Sequence, residues 1–87
     1  MHEASLMNDL MRRVTDVAAT KGVSRVVGLD VWLGALSHFS PGHFREHFED
    51  AARGTLAEGA ELRMTLSDDI AHRDAQSVVL QSVELEA

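Results

Sequence analysis

The chain has 87 residues, of which 45% are hydrophobic and 25% charged, and its formal net charge is −6. These values predict one small soluble domain over residues 1–87 and exclude a membrane-spanning chain, since no apolar run approaches the ~20 residues that a membrane helix needs. Cysteine is absent, which excludes disulfides and thiolate chemistry, and the eight Lys and Arg residues are scattered, which argues against nucleic acid as a partner.

The first predicted element is an amphipathic helix over residues 4–21, directly behind the opening MHE. It ends at Lys21-Gly22, where glycine can take the left-handed conformation that closes helices. Its apolar face is expected to consist of Leu6, Leu10, Val14, Val17 and Ala18.

A half-buried strand is predicted next, over residues 24–33. Leu29, Val31 and Leu33 alternate with Asp30 and Trp32, as expected when one face of a strand is buried and the other is not. The following residue is a glycine, which ends the strand.

Ser40-Pro41 predicts the start of a second helix, because serine can cap free backbone amides and proline in the first turn loses no needed donor. Phe44 and Phe48 lie one turn apart and predict its buried face, together with residues 51 and 52. Gly54 is expected to close this helix.

Two further strands complete the pattern, over residues 60–66 and 78–85, and the polar segment SDDIAHRDAQ (residues 67–76) forms a short loop between them. The alternation of the last strand slips by one residue near Gln81-Ser82, which predicts a β-bulge. The order α-β-α-β-β defines an α+β fold with two helices packed on one face of a small three-stranded sheet. The last two strands are expected to be antiparallel.

The amino terminus is a candidate metal chelate. The free amine of Met1, the backbone nitrogens of His2 and Glu3 and the His2 imidazole can wrap one cation in fused chelate rings. Four coplanar nitrogens favour Ni(II) or Cu(II), which prefer square-planar or tetragonal geometry. The alternative is that His2 is an ordinary surface residue of a frayed terminus.

A second candidate is HFREH, residues 43–47, which spells the H-x-x-E-H arrangement of some zinc peptidases. His43 and His47 are spaced to bind zinc on one helical face, with Glu46 as the base. The structural interpretation is favoured, in which the two histidines merely flank the buried Phe44 and Phe48, because a peptidase also needs a third ligand and a cleft. His38 and His72 fall in predicted loops, where either could approach a bound metal.

Several stretches, in order and spacing, resemble the HypA family, the nickel metallochaperones that help to mature NiFe hydrogenases and, in some organisms, urease. They are MHEASL, RVVGLDVWLGALSHFSP, FREHFEDAARGTLAEGAEL and SVELEA. The resemblance implies that Met1, His2 and Glu3 are a nickel site. It also implies a carrier rather than an enzyme, with two partners: the nickel-insertion GTPase of hydrogenase maturation and the hydrogenase large-subunit precursor.

The sequence departs from the family in two places. Family members carry a zinc domain with two CxxC pairs before the last strand, and residues 67–76 stand there instead, so no zinc is expected. Family members often have an acidic residue at the position of Ser40. In this sequence, Ser40 is expected to cap the second helix. His38, close by in sequence, is an auxiliary candidate ligand.

Residues 1–20 lack the features of a signal peptide, so the expected location is cytoplasmic. An exposed sheet edge would allow a homodimer. The alternative function is a zinc-free docking or assembly factor for hydrogenase maturation that does not itself carry nickel.

Overall fold

A computed structural model of the chain describes residues 3–86, with residue 3 described by its backbone alone. It contains α1 (Glu3–Thr20), β1 (Val26–Leu33), α2 (Pro41–Ala52), β2 (Glu61–Leu66) and β3 (Val78–Leu85). The predicted order α-β-α-β-β is therefore confirmed, with boundaries that move by one or two residues. Of the helices in this described part of the chain, none has the length and apolar character that crossing a membrane requires.

Helix α1 ends in a hydrogen-bonded glycine turn. Gly22 has a positive φ of 67°, and its N–H donates to the carbonyl of Ala19 (3.0 Å) while the N–H of Val23 donates to that of Ala18 (2.9 Å). These two bonds form a Schellman motif, which satisfies carbonyls that the helix itself leaves without donors. The predicted end of the helix at Lys21-Gly22 is thus confirmed.

The buried face of α1 differs from the prediction at one position. Val17 is 38% exposed, whereas Met7 is only 3% exposed. The cause is the helical period, which places Val14 and Ala18 on the core side and turns Val17 away from it. The helix therefore contributes Met7, Leu10, Val14 and Ala18 to the core.

The sheet has the order β2-β1-β3, with β1 in the centre. β1 pairs with β2 in parallel and with β3 in antiparallel orientation. The last two strands do run in opposite directions, but they are not neighbours, because each pairs with a different edge of β1. Helix α2 supplies the crossover that a parallel β1–β2 pair requires.

The slip predicted in the last strand is present as a β-bulge. Asp30 pairs with Ser82 and the next residue, Val31, pairs with Leu80, so Gln81 is the extra residue on β3. The bulge allows apolar residues on both sides of it to face the core in spite of the broken alternation.

One hydrophobic core joins both helices to the same face of the sheet. The most deeply buried large side chains are Phe44, Phe48, Leu29, Leu33, Val14, Val26 and Val31. The apolar residues of β3 pack against this core at its edge. Leu66, the last residue of β2, is 56% exposed.

The loop over residues 67–76 folds back onto the end of β1. The N–H of Gly34 donates to the carbonyl of Ser77 (2.9 Å), and the N–H of Leu36 donates to that of Ala75 (2.7 Å). Ala75 is buried. A Cβ on Gly34 would touch the Ala75 carbonyl oxygen and lie 2.6 Å from its carbonyl carbon. Glycine at this position therefore allows the loop to close.

We expect Gly34→Ala to lower the free energy of unfolding by about 1–3 kcal/mol, because backbone atoms must shift to admit the methyl group. Urea unfolding measures the change. Gly42→Ala in α2 is the matched control. Apart from its chain neighbours and the adjoining backbone of α2, no described atom lies within 4 Å of the position that its added methyl group would occupy, and alanine favours helix by up to about 1 kcal/mol. Equal stability of the two variants would contradict the close approach.

Candidate metal site

The predicted nickel ligands lie at the edge of the described chain. Met1 and His2 lie outside the described residues, and Glu3 is the first residue of α1. The structure therefore fixes where the predicted chelate is attached and leaves the ligand set itself a prediction. The first four N–H groups of a helix have no carbonyl partner within the helix. The amide of Glu3 is one of these four.

The first turns of α1, to which this terminus is attached, are firmly packed. Met7 and Leu10 are 3% and 6% exposed, and Val14 is completely buried. These side chains hold the first turns of α1 against the sheet and against α2. A metal bound in front of Glu3 would consequently be carried by a rigid helix.

A cavity of about 490 Å³ adjoins the first turns of α1. Leu6, Asp9 and Arg13 line it from the helix, and Ser37 and His38 line it from the segment after β1. The Ser37 hydroxyl oxygen is buried and has no hydrogen-bond partner among the residues that the structure describes. The cavity is thus lined by both charged and polar residues, and the carboxylate of Asp9 is also paired with Arg12 at 2.7 Å.

His38 is held in an unusual backbone conformation. Its φ is 67°, in the left-handed region that residues other than glycine seldom adopt, although histidine is enriched there. Leu6, which lines the same cavity, lies one helical turn after Glu3. The structure thus places His38 on the side of the molecule where α1 begins, and its role as an auxiliary ligand remains a prediction.

Ser40 caps α2 as predicted. Its hydroxyl oxygen accepts a hydrogen bond from the backbone N–H of His43 (3.3 Å), and Pro41 occupies the first helical position. The Ser40 side chain is therefore engaged with the helix.

The HFREH segment forms the middle of α2. Phe44 and Phe48 are 0% and 2% exposed, so their predicted place in the core is confirmed. His43 is exposed and His47 half-buried, and their Nε2 atoms are 2.7 Å apart. Within the described part of the chain, no three His, Cys, Asp or Glu side chains are grouped to hold a metal. The third ligand of a zinc peptidase is therefore not provided by these residues.

His72 lies in the loop after β2. Its ring stands 4.8 Å from that of Trp32, centroid to centroid, and its Nδ1 accepts a hydrogen bond from the N–H of Asp74 (2.9 Å). Both contacts belong to the end of the sheet that the loop covers. His72 consequently serves loop packing.

The helix-free face of the sheet carries an ionic network that spans all three strands. Arg63 on β2 donates from Nε to Asp30 Oδ1 (2.8 Å) and from a terminal nitrogen to Asp30 Oδ2 (3.2 Å). Ser82 on β3 also donates to Asp30. Arg63 completes the network with Glu61 at 3.4 Å and Glu84 at 3.2 Å.

This network was not predicted from the sequence. Asp30 and Arg63 each alternate with core residues and carry opposite charge, which is the available signal. The signal becomes informative only with the strand register, in which Asp30 pairs directly with Arg63. That register depends on the β1–β2 pairing, which the local pattern does not specify.

The network shifts the ionisation of both partners. The pKa of Asp30 falls from 3.8 to about 2, chiefly because Arg63 donates hydrogen bonds to the carboxylate, with further contributions from the Ser82 hydroxyl and the Arg63 charge. The hydrogen bond with Asp30 in turn raises the pKa of Arg63. Both groups remain ionised at neutral pH and tie the two edge strands to β1.

We expect Asp30→Asn to weaken the pH dependence of stability in acid. A depressed pKa in the folded state stabilises the protein fully above the ordinary value of 3.8, and this contribution is lost as the pH falls through about 2. The variant should therefore be less stable than the wild type at about pH 6, and the difference should shrink at about pH 2. Urea unfolding at both pH values measures it.

Asp50→Asn provides the control for this experiment. Asp50 pairs with Arg53 at 3.1 Å within α2, where the side chains are 72% and 70% exposed. Exposed pairs of this kind contribute little to stability, so the control should follow the wild-type pH profile. A difference between wild type and Asp30→Asn that is the same at both pH values would contradict the prediction.

Known proteins share the sequence pattern and the fold of this chain. The sequence model of the HypA family, described as hydrogenase/urease nickel incorporation, metallochaperone, matches residues 1–81. The small α+β domain with a mixed three-stranded sheet thus matches a family that is described by nickel incorporation. The chain belongs to the HypA family.

Curated relatives agree with this assignment. The hydrogenase maturation factor HypA of Chlorobaculum tepidum is 40% identical over 62 residues, which cover 71% of this chain and 55% of the relative. HypA of Pyrococcus furiosus is 40% identical over 62 residues, covering 71% and 45%. The hydrogenase maturation factor HybF of Salmonella typhimurium is 39% identical over 64 residues, covering 74% and 57%. The chain spans about half the length of these relatives.

Solved structures share the fold. The solution structure of the Ni metallochaperone HypA from Helicobacter pylori superposes with a TM-score of 0.83 at 18% identity, covering 100% of this chain and 99% of that one. A second solution structure, of a HypA protein, gives a TM-score of 0.78 at 16% identity, covering 99% and 97%. The predicted architecture is confirmed by both.

Proposed function

We propose that this protein binds one Ni(II) at its amino terminus and delivers it during the maturation of NiFe hydrogenase. The ligands are the amine of Met1, the backbone nitrogens of His2 and Glu3 and the His2 imidazole. Family membership supports nickel as the cargo. The observation that supports the proposal is the start of α1 at Glu3, where the Glu3 N–H has no carbonyl acceptor within the helix.

The helix start removes an energetic obstacle to binding through backbone nitrogens. An amide that ligates a metal gives up its proton, and a hydrogen-bonded amide would also lose its acceptor. The Glu3 amide has no acceptor within α1, so nickel can take it without opening the helix. Nickel bound by two deprotonated amides has no net charge, so the positive end of the helix dipole does not oppose it.

The cavity beside α1 supports the proposal, because polar residues are among those that line it. Ser37 and His38 line the same space of about 490 Å³ as Leu6 and Asp9. We propose His38 as a replacement ligand for nickel, in the part that the family resemblance implies for an acidic residue at the position of Ser40 in some members. Ser40 itself is used to cap α2.

Delivery to a partner requires the ion to be reachable. A chelate at the amino terminus, attached to a rigid helix, can be presented to a second protein without unfolding the core. The proposed partners are the nickel-insertion GTPase and the hydrogenase large-subunit precursor. They would meet the terminus and the exposed side of α1.

We further propose that residues 67–76 take the place of the cysteine-rich zinc domain. The support is local: this segment closes over Gly34 through backbone hydrogen bonds, and shortening a connection between neighbouring strand ends costs little entropy. Without cysteine in these 87 residues, nickel binding would operate without a thiolate zinc site.

Titration of Ni(II) into untagged protein with a free amino terminus tests the proposal. We expect His2→Ala to weaken nickel binding by more than about 100-fold, since even partners outside the first ligand shell are worth about 10–100-fold. The affinity of the wild type should rise with pH, because the amine and the amides must lose protons. Calorimetry and the visible absorption of square-planar nickel measure binding.

His72→Ala is the control, because His72 contacts Trp32 and Asp74 and is not among the residues that line the cavity beside α1. It should bind nickel like the wild type. Equal binding by the wild type and His2→Ala, or no binding by either, would overturn the carrier and favour the docking or assembly factor that does not itself hold nickel.

A further inference from the structure

The two histidines of α2 converge in a way that the core packing of this helix does not require. His43 and His47 project from the surface beside the buried Phe44 and Phe48, and their Nε2 atoms are 2.7 Å apart. The ring centroids are 4.6 Å apart with an interplanar angle of 20°. The rings therefore meet through their nitrogen atoms.

This spacing matches the requirement of a metal that holds two imidazoles in adjacent positions. Metal–nitrogen bonds of about 2.0–2.1 Å at a right angle place the nitrogens about 2.9 Å apart, whereas a tetrahedral angle places them about 3.3 Å apart. The hydrogen-bonded nitrogens are 2.7 Å apart, so a small outward movement of the rings admits a metal ion between them. Ni(II) and Cu(II) take ligands at right angles in their octahedral and tetragonal sites.

We propose that His43 and His47 form a second metal site, which binds Ni(II) or Cu(II) through both Nε2 atoms. The contact between the two rings is exchanged for two metal–nitrogen bonds. Among the residues that the structure describes, no third His, Cys, Asp or Glu is grouped with the pair.

The surroundings restrict how far the pair can separate. The His43 ring lies edge-on to Phe39 at a centroid distance of 6.2 Å, and Phe39 is in turn packed edge-on against the buried Phe44 at 5.4 Å. His47 is half-buried. The two nitrogens are thus held near each other before a metal arrives, which lowers the entropy cost of binding.

A metal held by both histidines bridges one turn of α2, so it binds the folded chain in preference to the unfolded one. Binding of this kind raises the melting temperature. For a domain of this size, a nickel concentration of about 100 times Kd corresponds to an increase of about 10 °C or more.

The test uses the full chain in a His2→Ala background, which weakens the amino-terminal site. Melting temperatures are measured with and without NiCl2 for this parent and for the parent with His43→Gln, His47→Gln or His72→Gln. Glutamine is a good helix former, and each variant is compared with its own metal-free form. The His72→Gln variant is the matched control.

We expect nickel to raise the melting temperature of the parent and of the His72→Gln control, and to leave both α2 variants unchanged, since one imidazole cannot chelate. No rise in the parent, or the same rise in an α2 variant, would overturn the second site. Either failure is distinguishable from failure of the amino-terminal site, which is judged by comparing wild type with His2→Ala.

Discussion

The burial of α1 in the shared hydrophobic core, against α2 and the edge strand β3, is the interaction on which the rest of the structure depends. Val14 is completely buried, as are Leu29 and Val31 of β1. Full burial of each such aliphatic side chain contributes about 1.5–3 kcal/mol, so the helix is held along its length. The same packing holds the first turns of α1 in place. The proposed metal-binding terminus is attached to these turns.

The two faces of the sheet stabilise the fold in different ways. One face holds both helices and the core. The other carries the Asp30–Arg63 network, which links three strands of which two are edges. Apolar packing on one side and ionic pairs on the other stabilise the sheet of this 87-residue chain without a disulfide. The start of α1 and the surface of α2 carry the two proposed metal sites.

Local sequence patterns predicted those features that depend on neighbouring residues. The period of α1, the Ser40 cap and the bulge at Gln81 are such features, and the structure contains each of them. Features set by contacts distant in sequence were not accessible: the place of β1 between the other strands, the Asp30–Arg63 pair and the cavity near His38. The i,i+4 spacing of His43 and His47 was visible, but the separation of their nitrogens depends on side-chain packing.

We propose that the first cation bound by this protein binds at the amino-terminal end of α1. Backbone amide NMR of the untagged protein at one equivalent of Ni(II) tests it most directly. We expect signals to change in the first turn of α1 and around Ser37 and His38, while those of the Asp30–Arg63 network stay in place. Changes confined to His43 and His47 at this stoichiometry, or no changes at all, would contradict the claim.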